Sequence, residues 1–400
     1  MKQRIQNMRD IQHFGEEGGV VPVIDVASTS TFLNPADMER TFHGELEGCY
    51  LYSRHSNPSV TAFGKKFAAL EGTEAALGVS SGMAAIATTL DQLVSAGEHI
   101  VASRTIYGGT YALFRNLFPR RGIRVSFVDM DDLPAVERAI LPETKVLFTE
   151  TLSNPLLRMA DLKGLSSIKN RNGLKLVVDN TFAPLLVTPA DFGADVVIHS
   201  CTKYISGASD MISGVIAGSR DFIASLIDIN SGSVMLTGPV MDAKIAHELY
   251  LRLDHLPIRV EAHSRAAQFL AEKMEAHGVP VFYPGLKSHP QHRLMSDHRN
   301  EGFGFGGMLT VDCVTSKRAM ELATELQNNK FGLYAVSLGF SRTLMSCPSV
   351  STSSEIPEKE QREMNLSPGL LRLSIGFTGD LETQWQRFQS GYDRLLKETR

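Results

Sequence analysis

Two stretches decide the fold: VVDNTF at 177–182 and VVIHSCTKYISG at 196–207. Each is a short apolar, β-branched run that ends in residues able to do chemistry, Asp179 in the first and Ser200, Thr202 and Lys203 in the second. Such runs read as buried strands. A strand-terminal Asp most often makes a turn. Its other use is as a carboxylate facing a ring nitrogen, because a pyridine ring needs such a partner to stay protonated and draw electrons. Lys203 either snorkels to solvent, as most lysines do, or reaches a ligand. If the chain stays extended, the hydroxyls of Ser200 and Thr202 point the same way and suit phosphate oxygens. Lys203 beside them could then reach an aldehyde of the same ligand.

Outward from these stretches, the region 61–220 repeats one rhythm. β-rich runs at 75–79, 99–103, 124–129, 145–150, 174–179, 194–200 and 213–219 alternate with helix-period segments such as Met83–Val94 and Thr110–Phe118. This alternation predicts an α/β fold with a mainly parallel, seven-stranded sheet covered by helices on both faces. In such sheets ligands bind beyond the carboxyl ends of the strands. Residues 240–275 read as helical with a break near Pro257. Residues 276–400 mix strand-like VPVFYPG and GFGGMLTVDC with helix-like AMELATELQ and WQRFQSGYDRLLKE, which predicts a smaller C-terminal α/β domain. The expected division is an N-terminal arm over 1–60, a large domain over 61–255 and a small domain over 256–400. The arm reads as largely irregular with strand-like pieces. A segment of that kind does not offset its ordering entropy alone, so it is expected to pack on a partner subunit. The stretch 353–369 reads as a polar loop with a short helix.

Bulk properties narrow the function classes. The 400 residues are 43% hydrophobic and 21% charged, with a net charge of −4. That composition suits a globular protein of more than one domain and offers no basic surface for nucleic acid or anionic lipid. No apolar run reaches the roughly 18–20 residues of a membrane span, and the polar MKQRIQNMRDIQHF start lacks a signal-peptide core. A cytoplasmic location and no membrane partner are the expectation. The four cysteines are scattered, with no CxxC pair or Cys/His cluster, so neither a disulfide nor a metal site is expected. His289 and His292 read as solvated residues of a polar loop.

Two further strand ends carry polar or glycine-rich turns. At 76–90 a run is followed by Ser80-Ser81-Gly82 and a helix start, where backbone N–H groups could approach a phosphate; small residues also cap helices for structural reasons. The spacing matches neither a dinucleotide fingerprint nor a P-loop. At 103–111 a run leads to Tyr107 and two glycines. Its ring is either simply packed or able to stack on a ligand ring and donate its hydroxyl. Each signal is weak alone; their placement at several strand ends is the informative feature.

These stretches, with YSRHSNPSV (52–60), LEGTEAALGVSSGMAA (70–85), IYGGTY (106–111), YPGL (283–286) and GLLRLSIG (369–376), closely resemble the Cys/Met-metabolism, or trans-sulfuration, family of pyridoxal 5'-phosphate (PLP) enzymes. The likeness runs from about residue 20 to 395. It implies the PLP-dependent transferase fold (fold type I) and an amino-acid substrate. It also implies a homo-oligomer with shared active sites, usually a tetramer built as a pair of dimers. By the resemblance, Lys203 carries the cofactor covalently, Asp179 faces its ring nitrogen and Tyr107 stacks on its ring. Gly82, Met83, Ser200 and Thr202 hold its phosphate. Tyr52 and Arg54 reach the phosphate of the neighbouring subunit. Arg372, helped by Ser337 and Asn154, takes the substrate carboxylate, a task suited to a planar guanidinium fork.

The family includes carbon–sulfur lyases, sulfhydrylases and synthases. Many cystathionine γ-lyases resemble YEYSR where this chain has Leu51 in YLYSR, and carry a glutamate after the SLG segment where Ser341 and Arg342 stand here. Both departures weaken recognition of a distal ammonium. Methionine γ-lyases resemble YGCT where this chain has Gly109. The expected activity is a carbon–sulfur lyase expelling a thiol from a methionine- or cystathionine-class amino acid. O-acylhomoserine sulfhydrylase or cystathionine γ-synthase is the alternative, and a non-catalytic binding protein on the same fold is the reading from another class.

Overall fold

The computed structural model describes residues 1–12, 19–46, 48–351, 358–364 and 366–397. Gly15 and Gly18 of the arm, and most of the first half of the 353–369 stretch, lie outside the described residues.

Seven strands form the large sheet: β1 (Ala75–Val79), β2 (His99–Ser103), β3 (Arg124–Val128), β4 (Thr144–Glu150), β5 (Lys175–Asp179), β6 (Val196–Ser200) and β7 (Gly214–Gly218). Their order is β1-β7-β6-β5-β4-β2-β3. The pairs from β6 through β3 are parallel, whereas β7 runs antiparallel to both of its neighbours, β1 and β6. Each predicted run is a strand. The period-two alternation of strand side chains divides the core into two layers. Val101, Leu147, Leu176 and Val178 enter one cluster with Phe63, Phe67 and Leu249, while Ile100, Val146, Phe148 and Val177 enter another with Ile86, Leu90 and Phe114. Burial on both faces is why the strands read as apolar runs.

Five further strands form a second sheet: β8 (Val281–Phe282), β9 (Met308–Asp312), β10 (Leu333–Tyr334), β11 (Leu344–Ser346) and β12 (Leu370–Ser374), in the order β10-β11-β12-β9-β8. The helices Leu256–Ala276, Ser316–Asn328 and Leu381–Lys397 supply much of the apolar cover of this sheet, through residues such as Leu270, Leu322 and Phe388. The predicted break near Pro257 falls at Asp254–His255. Pro257 itself sits in the first turn of the next helix, where its missing N–H costs nothing.

Two expectations are corrected. The first 60 residues are more ordered locally than their composition suggests, with helices at Lys2–Arg9 and Pro35–Phe42 and a third starting at Pro58. Pro35 and Pro58 each follow an Asn cap whose side chain accepts backbone N–H groups, so the prolines start helices rather than break them. Met8 is fully buried in the main core. His289 and His292 are not solvated loop residues. His289 is 9% exposed, its Nδ1 accepts the Gln291 N–H at 3.2 Å, and burial lowers its pKa to about 4. His292 opens the helix His292–His298, and its Nδ1 lies 2.8 Å from the carbonyl of Pro284. Polar sequence around both rings concealed this packing.

Candidate active site

The parallel register brings the carboxyl ends of three central strands together: Glu150 pairs across the sheet with Asp179, and Asp179 with Ile198 two residues before Ser200. Above them opens a cavity of about 450 Å³. Its floor holds Glu150, Asp179, Ser200, Thr202 and Lys203. One wall is the start of the helix Gly82–Leu93 together with Tyr107; the opposite wall brings in Asn154 and, from the second sheet, Arg372. Met83, Ile86, Phe182, Ile212, Val336 and Leu338 make the rest of the lining largely apolar.

Lys203 does not sit on an extended strand. β6 stops at Ser200, and the following turns are closed by Ser206 N–H to the Cys201 carbonyl at 2.8 Å and Gly207 N–H to the Lys203 carbonyl at 2.8 Å. Even so, Ser200 and Thr202 both line the cavity. The Thr202 hydroxyl is shared with the main chain of Ser213, donating to its carbonyl at 3.2 Å and accepting its N–H at 3.1 Å. Lys203 Nζ donates to Ser337 Oγ at 3.2 Å. Burial, and then the positive charge of Arg372, hold its pKa below the ordinary lysine value.

Asp179 Oδ1 accepts the Thr181 N–H at 3.0 Å, and Thr181 Oγ1 accepts the Ser200 N–H at 2.8 Å, linking the ends of β5 and β6. Burial raises the pKa of Asp179, partly offset by its hydrogen bonds from Thr181. Among the described residues no lysine, arginine or histidine forms an ion pair with it. Arg372 is 2% exposed and gives Nη1 to Asn154 Oδ1 at 3.0 Å and Nη2 to the Ser337 carbonyl at 3.4 Å. Burial brings its pKa down to about 10.

Ser337 therefore meets both Lys203 and Arg372 without being one of the lining residues itself. Tyr52 and Arg54 are not part of this lining. Arg54 donates to the Met235 carbonyl at 2.7 Å and its guanidinium lies 5.8 Å from the centre of the half-exposed Tyr52 ring. Arg342 is exposed and outside the lining as well. The polar lining residues Glu150, Thr181 and Ser351 went unrecognised in the sequence, as did most of the apolar wall. The signal for Glu150 was available: an ionisable residue closing the buried run KVLFTE, one strand away from Asp179.

The family model described as "Cys/Met metabolism PLP-dependent enzyme" matches residues 6–383. The chain belongs to this family. This PLP-dependent enzyme is 46% identical over 393 residues to a methionine gamma-lyase of Arabidopsis thaliana, covering 96% of this chain and 89% of that protein. It is 36% identical to an L-methionine gamma-lyase of Treponema denticola, covering 95% and 94% of the two chains. Among solved structures, a cystathionine gamma-lyase from Lactobacillus plantarum complexed with L-serine superposes with a TM-score of 0.88 at 28% identity, covering 99% of this chain and all of that one. A Campylobacter jejuni chain carrying N'-pyridoxyl-lysine-5'-monophosphate superposes with a TM-score of 0.91 at 26% identity, covering 98% and 99%. The architecture is that of the fold type I PLP enzymes.

The site's own chemistry fits the cofactor. The carboxyl of Asp179 forms no ion pair among the described residues, and a protonated pyridine nitrogen would supply one. A β-carbon on Gly82 would lie 2.6 Å from Ser200 Cβ, so only glycine lets this helix start approach the end of β6 closely enough for a phosphate cradle. The N–H groups of Gly82 and Met83, in the first helical turn, have no intrahelical acceptor.

Proposed function

We propose that this PLP-dependent carbon–sulfur lyase expels a thiol from a methionine-class amino acid, leaving a 2-oxo acid and ammonia. One observation carries the substrate class: beyond Lys203 and Arg372 the cavity is walled by Met83, Ile86, Phe182, Ile212, Val336 and Leu338. Among the described residues, two carboxyl groups line it. Asp179 belongs to the cofactor in this reading, and both oxygens of Glu150 already accept main-chain N–H groups. A neutral thioether fits this wall; among the described residues the distal ammonium of cystathionine finds no free acid there.

Here Lys203 holds the cofactor, and Gly82, Met83, Ser200 and Thr202 bind its phosphate. Tyr107 covers its ring and Asp179 keeps its nitrogen protonated. When bound, the cofactor supplies an electron sink for negative charge developing at the substrate Cα. Arg372 takes the α-carboxylate, its plane held by Asn154 and the Ser337 carbonyl. The depressed pKa of Lys203 favours a neutral amine that can accept the Cα proton. Tyr107 lines the cavity with a partly exposed ring and, in this reading, protonates the departing sulfur.

Tyr52 and Arg54 act in the site of a second subunit. This reading is supported by their position outside their own cavity and by the bare side chains of Val20, Val26 and Leu33 on the arm. The arm over 1–60, the cofactor domain over 61–255 and the small domain over 256–400 are the working units, assembled as a cytoplasmic tetramer of two dimers. Among the described residues no helix is long and apolar enough to cross a membrane.

A second reading, γ-replacement on an activated homoserine, draws on 35% identity to an O-succinylhomoserine sulfhydrylase of Pseudomonas aeruginosa, covering 90% of this chain and 87% of that protein. Incubation with L-methionine alone separates the two. The lyase releases 2-oxobutyrate, ammonia and methanethiol. An enzyme that produces nothing until an O-acylhomoserine and a thiol are both supplied is the synthase.

A further inference from the structure

Glu150 is 6% exposed and closes β4 at the cavity floor. Its Oε1 accepts the N–H of Tyr107 at 2.7 Å and its Oε2 accepts the N–H of Asn154 at 3.1 Å. These two donors come from different loops, one following β2 and the other following β4. Asn154 in turn holds Arg372 through Oδ1 at 3.0 Å. A single carboxyl group thus ties the loop of the ring-covering tyrosine to the residue that fixes the carboxylate clamp.

We propose that Glu150 is a positioning residue, whose two oxygens lock Tyr107 and the Asn154–Arg372 pair in one fixed register above the cofactor. The proposal rests on the roles given above to Tyr107 and Arg372. Its physical basis is a count of acceptors. Two main-chain donors, one of them buried, need two acceptor atoms at the right reach, and a carboxyl group is the side chain that presents both. A glutamine has the reach but only one acceptor, since its amide nitrogen faces the second N–H as another donor. An aspartate keeps both acceptors and the charge but draws them back by one methylene. Burial, and then the neighbouring Asp179 charge, push the Glu150 pKa well above the ordinary carboxylate value, and the two N–H donors offset this only in part.

The test uses the holoenzyme and its Glu150→Gln and Glu150→Asp variants. Each is titrated with L-norleucine, an analogue of methionine with no sulfur to expel, and followed by the visible spectrum of the bound cofactor. Both variants should keep wild-type cofactor stoichiometry and bind the amino acid roughly 10- to 100-fold more weakly, the factor expected when one buried donor loses its acceptor. Wild-type affinity in Glu150→Gln overturns the proposal, because one acceptor then suffices. Wild-type affinity in Glu150→Asp overturns it too, because charge rather than reach then matters. If neither variant retains cofactor, Glu150 serves folding and the proposal falls. A wild type that binds norleucine but makes no 2-oxobutyrate from methionine refutes the substrate class and leaves this test standing.

Discussion

Gly339 rests directly on the main chain of Tyr204. A β-carbon there would lie 2.6 Å from the Tyr204 amide nitrogen and 2.9 Å from the Lys203 carbonyl carbon, and Gly339 has φ of +76°. The Gly339 N–H also donates to Ser374 Oγ at 2.9 Å, two residues beyond Arg372 on β12. The loop carrying Ser337 is thereby seated on the residue proposed to hold the cofactor.

Gly339→Ala meets both a left-handed backbone and a contact with main-chain atoms that cannot swing away. Strain of about 1–3 kcal/mol for the conformation alone sets the lower bound. The variant should melt at a lower temperature and lose cofactor on dialysis faster than the wild type. Calorimetry and the cofactor content after dialysis check this; an unchanged melting point would show that the loop can lift without cost.

Arg372→Lys keeps a positive charge but loses the planar fork. The Asn154 contact and the bidentate grip on a carboxylate cannot both be kept. We expect kcat/KM for L-methionine to fall by about 2–3 kcal/mol, or roughly 30- to 150-fold, mainly through KM. A fall confined to kcat would remove Arg372 from carboxylate binding.

Asp179→Asn replaces the acid proposed to face the ring nitrogen by an amide, which does not stabilise a protonated pyridine. The expected loss is in kcat, on the order of 10²-fold, comparable to removing one preorganised electrostatic contact. Steady-state rates at saturating cofactor give the answer. An Asn variant with wild-type kcat would show that ring protonation does not depend on this residue.

The lowered pKa of Lys203 in the cofactor-free enzyme makes a signed prediction. Its amine must be neutral to attack an aldehyde, so the rate of reconstitution with PLP should rise with pH. It should level off above the Lys203 pKa, with a midpoint below the ordinary lysine value of 10.5. Burial is the larger cause, and Arg372 the second. Arg372→Met removes the second and should move the midpoint upward. Stopped-flow absorbance against pH reads both shifts, and a midpoint at or above 10.5 in the wild type would deny the perturbation.

Much of this was legible in the sequence because strands buried on both faces leave an unmistakable apolar trace, and the chemistry begins where that trace stops. Asp179, Lys203 and Tyr107 each follow such a stop. The reversed direction of β7 left no trace, since SGVIAGS reads the same along either course of the chain. Glu150 could be seen closing KVLFTE, but what it does there could not, because its two partners are main-chain N–H groups that no side-chain pattern announces. Tyr52 and Arg54 were legible as part of an arm, and the structure leaves both outside the cavity lining. His289 was misread for a related reason: polar neighbours describe local exposure poorly where successive turns, here those before the helix His292–His298, fold a ring inward.

The most direct test concerns Lys203. The purified holoenzyme is treated with borohydride, digested and mapped by mass spectrometry. A phosphopyridoxyl group on the peptide containing Thr202-Lys203-Tyr204, and its loss in Lys203→Ala, is the expected result. A label on a different lysine, or no label on an enzyme that still turns over methionine, would contradict the site described here.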